Sequence, residues 1–354
     1  MATKYINAKV GFYPSWWYKN YGISYNRQYY YDPDYRVDAF QKQQRILYER
    51  FGDVGMGKPD PEPEPFIDYG MVLLPEVFGC EVKFFDDAIP WAVPANLSEE
   101  EIFQLKVPDI TQAYPMTEII KQMDYLEQKY GRVTGNINTT GVLNLGLKIR
   151  GDQLYIDFFE NPDLVHHLFN ICTETIIQLA RYVKSRTGTL ASSVTPMAPP
   201  EMYVLPDCTV VQISRQAFEE FVLPYENRLS ATLQPFGIHH CGKADHMLEG
   251  YAKVNNLSFL EVGPMTDLKR LRELMPDVFV NARIDPVRML NCSPEEIAGD
   301  VKRIIDIGAP YDKLSIDAVG CDYGTPDANV RAMLKTAREY SAAKIAAQQK
   351  EEIA

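Results

Sequence analysis

Downstream of residue 209 the chain repeats one device five times, a short apolar run followed by a longer amphipathic one. "TVVQIS" leads into "RQAFEEFVLPYENRLSATLQPFG", "IHHCG" into "DHMLEGYAKVNN", "LSFLEVG" into "DLKRLRELMPD", "VFVNARID" into "SPEEIAGDVKRIIDIG", and "LSIDAVG" into "TPDANVRAMLKTAREYSAAKIAAQ". Short strands separated by helices are βαβ units, whose strands run parallel and are covered on both faces. Two more strand-like runs, "GVLNLGLKI" and "SSVTPM", stand upstream, and no glycine-rich phosphate loop follows any strand. The pattern predicts a (β/α)8 barrel rather than an open nucleotide-binding sheet. A chain of 354 residues suits one such domain. Residues 111–345 are expected to form the main barrel and residues 1–110 an N-terminal cap or lid, within a single domain spanning 1–354.

The expected cap is rich in rings, with eleven aromatic residues between Phe12 and Tyr35. Such density suits either a pocket wall, with Trp16, Trp17 and Tyr30 touching substrate, or a cover over hydrophobic surface. A helix, "VDAFQKQQRILYERFG", and an extended proline-rich loop, "GKPDPEPEPF", should follow. A net charge of −12 with no basic stripe argues against a nucleic-acid surface. No apolar run approaches the roughly 18 residues that a membrane span requires, and the N-terminus lacks the hydrophobic stretch of a signal peptide. The expectation is a cytoplasmic protein. Its six cysteines, spread without tight spacing, read as free thiols or ligands rather than a disulfide framework.

Chemistry in a parallel barrel gathers where strands end at their carboxyl side. The segment "GIHHCGKADH" puts three of the five histidines and a cysteine at one such end. Side chains alternate along a strand, so His239 and Cys241 share a face and His240 points away. Cys321 closes the strand three βα units later. Together His239, Cys241 and Cys321 make a three-ligand set with an open fourth position, the pattern of catalytic zinc. Glu261, at the intervening strand end, is a candidate catalytic group, either as a displaceable oxygen ligand or as the carboxylate that fixes the His239 tautomer. Arg283 is a candidate substrate contact or, with Asp285, a bracing ion pair. Asp207 precedes an expected strand and would face the same cavity as a substrate-binding group. His166, His167, His240 and His246 are assigned to packing or surface.

Several segments, "LPEVFGCEVKFFDDAIPWAV", "NPDLVHHLF", "SRQAFEEFVLPYENRL", "IHHCGKADHML" and "VGCDYGTPDANVRAML", resemble the uroporphyrinogen decarboxylase superfamily. Within it they resemble the cobamide-dependent methyltransferase branch, including O-demethylase methyltransferase components. That resemblance implies a (β/α)8 barrel and zinc held by an H-x-C pair with a distant cysteine, matching His239, Cys241 and Cys321. It also implies a corrinoid (cobalamin) on a partner protein, a small methylated substrate and a homodimer. The arginine-rich N-terminal segment with which the decarboxylases hold their acidic substrate has no counterpart here, which argues against that reaction. The expected reaction is O-demethylation, moving a methyl group from a methoxylated aromatic donor to Co(I). The alternatives are methyl transfer from cobamide to a thiol, a decarboxylase-like enzyme, or a non-catalytic binding paralogue.

Overall fold

In the computed structural model, which describes residues 4–190 and 195–353, eight strands numbered along the chain build the barrel. They are β1 (Asn7–Phe12), β2 (Phe66–Ile67), β3 (Thr134–Gly135), β4 (Tyr203–Pro206), β5 (Phe236–His240), β6 (Leu257–Val262), β7 (Phe279–Arg283) and β8 (Leu314–Cys321). Six pair in the order β1-β8-β7-β6-β5-β4, all parallel, while β2 and β3 form a separate parallel pair. Past β3 the Gly141 N–H donates to the Pro206 carbonyl at 2.7 Å, and the hydroxyls of Thr139 and Tyr203 meet at 2.6 Å, tying the two arcs together. The (β/α)8 class expected from the alternation is the one observed.

Strands covered on both faces need apolar residues without interruption, and β4 and β5 are buried along their whole length. Side chains that accept from the first turn start several of the helices that follow. Asp267 caps Leu268–Leu274, Asp285 caps Pro286–Asn291, and Ser293 with Glu296 forms a capping box on Pro294–Ile307. Asp285 is thus a helix cap, accepting from the Val287 N–H at 2.8 Å.

Three expectations about elements change. "GVLNLGLKI" is the helix Val142–Arg150, and its buried Val142, Leu145 and Ile149 fall at helical spacing; a short apolar run does not by itself separate strand from helix. "TVVQIS" is mostly a 3-10 turn, Cys208–Gln212, because the strand lies just upstream at Tyr203–Pro206. "SSVTPM" falls partly outside the described residues. In addition, the first 110 residues contribute β1 and β2, so they build the barrel as well as cover it.

The aromatic segment packs upon itself and upon β1. Trp16 stacks on Phe12 at 3.9 Å between ring centroids, Phe51 lies 5.7 Å from the other side of Phe12, and Trp17 meets Trp16 edge-on at 4.8 Å. Trp16, Trp17 and Tyr30 are 1%, 5% and 2% exposed, which leaves no open ring face for a ligand. Beneath them Arg36 is fully buried in the helix Pro33–Phe51. Its guanidinium donates to the carbonyls of Phe66 (2.9 Å), Tyr29 (2.9 Å) and Tyr30 (3.3 Å) and to the Gln122 side chain (2.8 Å), binding the cap to β2. Among the described residues no helix is long and apolar enough to cross a membrane.

Replacing Arg36 by Ala strands these acceptors in a buried site. The expected cost is roughly 3 kcal/mol or more, read as a lower midpoint in urea unfolding, while Lys121→Ala on the surface leaves the midpoint unchanged.

Candidate metal centre

The register across the barrel floor decides which side chains meet. Pro206 of β4 lies opposite His239 of β5, His239 opposite Glu261 of β6, and Glu261 opposite Asn281 of β7. Two residues past the first pair, Cys208 and Cys241 leave their strands side by side, and the Cys241 N–H donates to the Cys208 sulfur at 3.3 Å. One ligand atom from each of Cys208, His239 and Cys241 lies within 4.8 Å of the other two, and no other such trio occurs among the described residues. His239 and Cys208 are sheltered while Cys241 is exposed, so the cluster opens at the mouth.

The imidazole is held from behind. His239 Nδ1 is hydrogen-bonded to Glu261 Oε1, so Nε2 is the nitrogen that could serve a metal ion, a carboxylate–histidine arrangement frequent behind metal ions. Glu261 is fully buried and therefore acts on the histidine rather than at the mouth. Burial opposes charge on His239, but the Glu261 carboxylate and Cys241 outweigh it and lift the pKa to about 9. Burial opposes charge on Glu261 as well, and His239 with Arg283 keeps its carboxyl below the usual range. The two thiols divide their roles. Cys241 is brought down to about 4 by its contacts with Cys208 and His239, whereas the contact with Cys241 and then burial push Cys208 up. One sulfur is a ready thiolate beside an imidazolium, and the other keeps its proton.

The remaining candidates are placed as follows. Cys321 is fully buried at the end of β8, its thiol 3.5 Å from the Ala318 carbonyl, and burial raises it to about 12. It stands outside the trio, though the Arg283 charge acts on it and on Cys241 alike. Arg283 donates to the Val319 carbonyl at 2.9 Å and reaches Asp317 at 3.4 Å and Glu261 at 3.8 Å, so its charge is spent inside the barrel. Asp207 is fully buried beside Glu226, and burial with that neighbour holds it well above the usual carboxylate range. It lies behind Cys208 rather than on the rim. His240 turns away from the mouth to Tyr251 Oη at 2.6 Å, as alternation requires.

Sequence reasoning missed Cys208 for a definite reason. With the strand placed at 209–214, Cys208 stood before a strand instead of after one. The signal was present in "YVLPDC", where an apolar run stops at a proline, a residue with no N–H to offer a ladder.

The barrel and its thiolate–imidazole cluster define the class first: an α/β barrel with soft metal-ligand chemistry at the carboxyl ends of its strands. The family model described as uroporphyrinogen decarboxylase (URO-D) matches residues 66–340, and the chain belongs to that family. A methylcobamide:CoM methyltransferase, MtbA, of Methanosarcina acetivorans is 25% identical over 284 residues, 75% of this chain and 76% of that protein. Its counterpart in Methanosarcina mazei is 24% identical over 275 residues, with the same shares covered. A solved methyltransferase structure from Methanosarcina mazei superposes with a TM-score of 0.67 at 15% identity, covering 96% of this chain and 95% of that one. A B12-independent methionine synthase from Shewanella superposes at 0.52 and 10% identity, covering 98% of each chain. The resemblance drawn from the motifs agrees with these relatives.

The donor set suits zinc, since one imidazole nitrogen and two sulfurs converge with the nitrogen's far side already tied to a carboxylate. The state of Cys241 is testable without metal. An ordinary thiol loses alkylation rate roughly tenfold per pH unit below its pKa. Metal-free protein treated with iodoacetamide should be labelled first at Cys241, at a rate nearly level from pH 8 to pH 6, as peptide mass spectrometry would show. Substituting Cys208 by Ala should restore most of the steep decline, and His239 by Ala a smaller part of it.

Proposed function

We propose that this chain is a methyltransferase that moves a methyl group between the cobalt of a corrinoid, carried by a separate protein, and a heteroatom held on zinc at the barrel mouth. The convergence of Cys208, His239 and Cys241 within 4.8 Å carries the reading, and the kinship with methylcobamide:CoM methyltransferases supports it. When bound, zinc supplies Lewis acidity, lowering the pKa of a coordinated thiol or polarising an ether oxygen. The chain's own groups prepare for this. Of His239, Nδ1 is held on Glu261, and Nε2 would bind the ion once the ring gives up the proton that its raised pKa keeps there. Cys241 arrives ionised, so no proton need be removed there. His239 and Cys241 form the fixed pair. Cys208 flanks them from β4, and Cys321, the distant cysteine of the resemblance, stands across Arg283 at the end of β8.

A thiol acceptor is the first reading of the substrate. The relatives are named for methyl transfer between methylcobamide and CoM rather than from an ether, and the rings that would have stacked on a methoxyarene are packed against each other. O-demethylation of a methoxylated aromatic donor is the second reading. Its support is at the rim, where Tyr323 is 51% exposed and the N–H of Tyr13 donates to the Cys321 carbonyl at 2.9 Å, bringing two tyrosines to the end of β8.

The test has two arms. Purified protein is expected to hold about one zinc per chain. Cys241→Ser should lose it outright while keeping folding stability within ~2 kcal/mol, because a ligand at a strand end carries little of the core. Cys208→Ser and Cys321→Ser should each weaken binding, and the larger loss marks the third ligand. In the second arm, methylcobalamin absorption is followed as thiols are added, and cob(I)alamin as methoxybenzenes are added. Demethylation by thiols supports the first reading and methylation by ethers the second. A folded, metal-free protein inert in both would be a binding paralogue.

A further inference from the structure

Buried polar groups continue inward from Glu261. Asn281, opposite it on β7, donates to Glu261 Oε2 at 2.7 Å and to Asp317 Oδ2 at 2.8 Å from the same amide nitrogen. The hydroxyl of Ser315, opposite Asn281 on β8, donates to Asn281 Oδ1 at 2.7 Å. All four side chains are fully buried. The amide orientation follows from these partners, since the reverse would set a carbonyl oxygen against the ionised Glu261 carboxylate. Few side chains of this size could serve. A hydroxyl has one hydrogen for two acceptors, and a carboxyl would put a third acid beside two. The Asn amide supplies two hydrogens from one nitrogen and an acceptor for Ser315.

We propose that Asn281 is a positioning residue for the metal centre, clamping Glu261 at the angle that directs His239 Nε2 toward Cys208 and Cys241. The inference rests on the zinc reading above. Its physical content is that Glu261 has two oxygens and two hydrogen-bond partners, with the Arg283 charge 3.8 Å from Oε1. Oε1 is committed to His239, and Asn281 is the hydrogen-bond donor that fixes Oε2. Asp317 anchors the far side of the clamp. It is itself faced by Arg283 of β7 at 3.4 Å, by Glu261 of β6, by His239 of β5 and by Lys9 of β1. An amide carries no exchangeable charge, so it holds the two carboxylates in register without passing a proton between them.

The experiment compares wild type with Asn281→Ala, Asn281→Ser and Ser315→Ala. Zinc affinity is measured by chelator competition across pH, and the His239 ring by nitrogen-15 NMR of metal-free protein labelled at histidine. Removing a group that orients a ligand typically weakens metal binding about 10–100-fold, and that loss is expected for Asn281→Ala. The pH of half-release should rise, because protons compete better for a poorly aimed imidazole. The Nδ1–H signal of His239 should broaden or move. Asn281→Ser keeps one donor and should fall between, and Ser315→Ala, which leaves both amide bonds, should stay near wild type. Unchanged affinity and an unchanged His239 signal in a folded Asn281→Ala protein would overturn the proposal. A wild type that takes up no zinc would sink the metal reading instead, and the metal-free NMR arm would still decide whether Asn281 orients the ring.

Discussion

The parallel register that sets Pro206 opposite His239 and His239 opposite Glu261 governs the chemistry at the mouth of this barrel. Side chains in a strand alternate with period two, so a slip of one residue in β5 would turn His239 and Cys241 toward the helices and bring His240 inward. The register is in turn held by packing. β5 is buried from end to end, and Gly237 lets it approach β6 so closely that an added methyl would meet Phe259 Cβ at 2.9 Å. Beyond the strand, Gly263 does the same for the loop carrying Cys241, where a methyl would lie 2.2 Å from the Cys241 carbonyl oxygen. The cluster is therefore a property of how closely three neighbouring strands can lie.

Electrostatics follow from that geometry. The lumen holds Glu261 and Asp317 with Arg283 and His239 between them, and no water-exposed route relieves the charge of either acid. The outcome is unequal. Glu261, with a histidine and an arginine at hand, stays ionised, while burial and the Glu261 charge lift Asp317 to about 7. Asymmetry of this kind is what a barrel floor produces when hydrogen-bond donors are shared unevenly. The same rule acts at Asp207 and Glu226, which among the described residues have no cationic partner and both titrate upward.

Much of the barrel was legible in the chain. The alternation after residue 209 gave β5 to β8 with their helices, because runs buried on both faces leave a plain apolar signature. The pairing of His239 with Cys241 followed from alternation alone. β2 and β3 were not legible, since two residues each leave no periodic signal, and β1, NAKVGF, carries too few apolar residues to read as a buried strand. The error at 203–214 had the largest consequence. Reading "TVVQIS" as the strand shifted the expected carboxyl end by eight residues, from Pro206 to Ser214, and moved Cys208 to the wrong side of it. Asn281 and Asp317 lay in strands that were read correctly, yet their bond to Glu261 depends on which neighbours pair, and one sequence does not contain that.

The stacking of Trp16 on Phe12 has a wider meaning, because Phe12 belongs to β1 and β1 is bonded along its length to β8. The start of the aromatic segment is thus packed directly on the stave wall. Substitutions among these rings would consequently be felt as changes in melting temperature well before they altered which molecules are admitted.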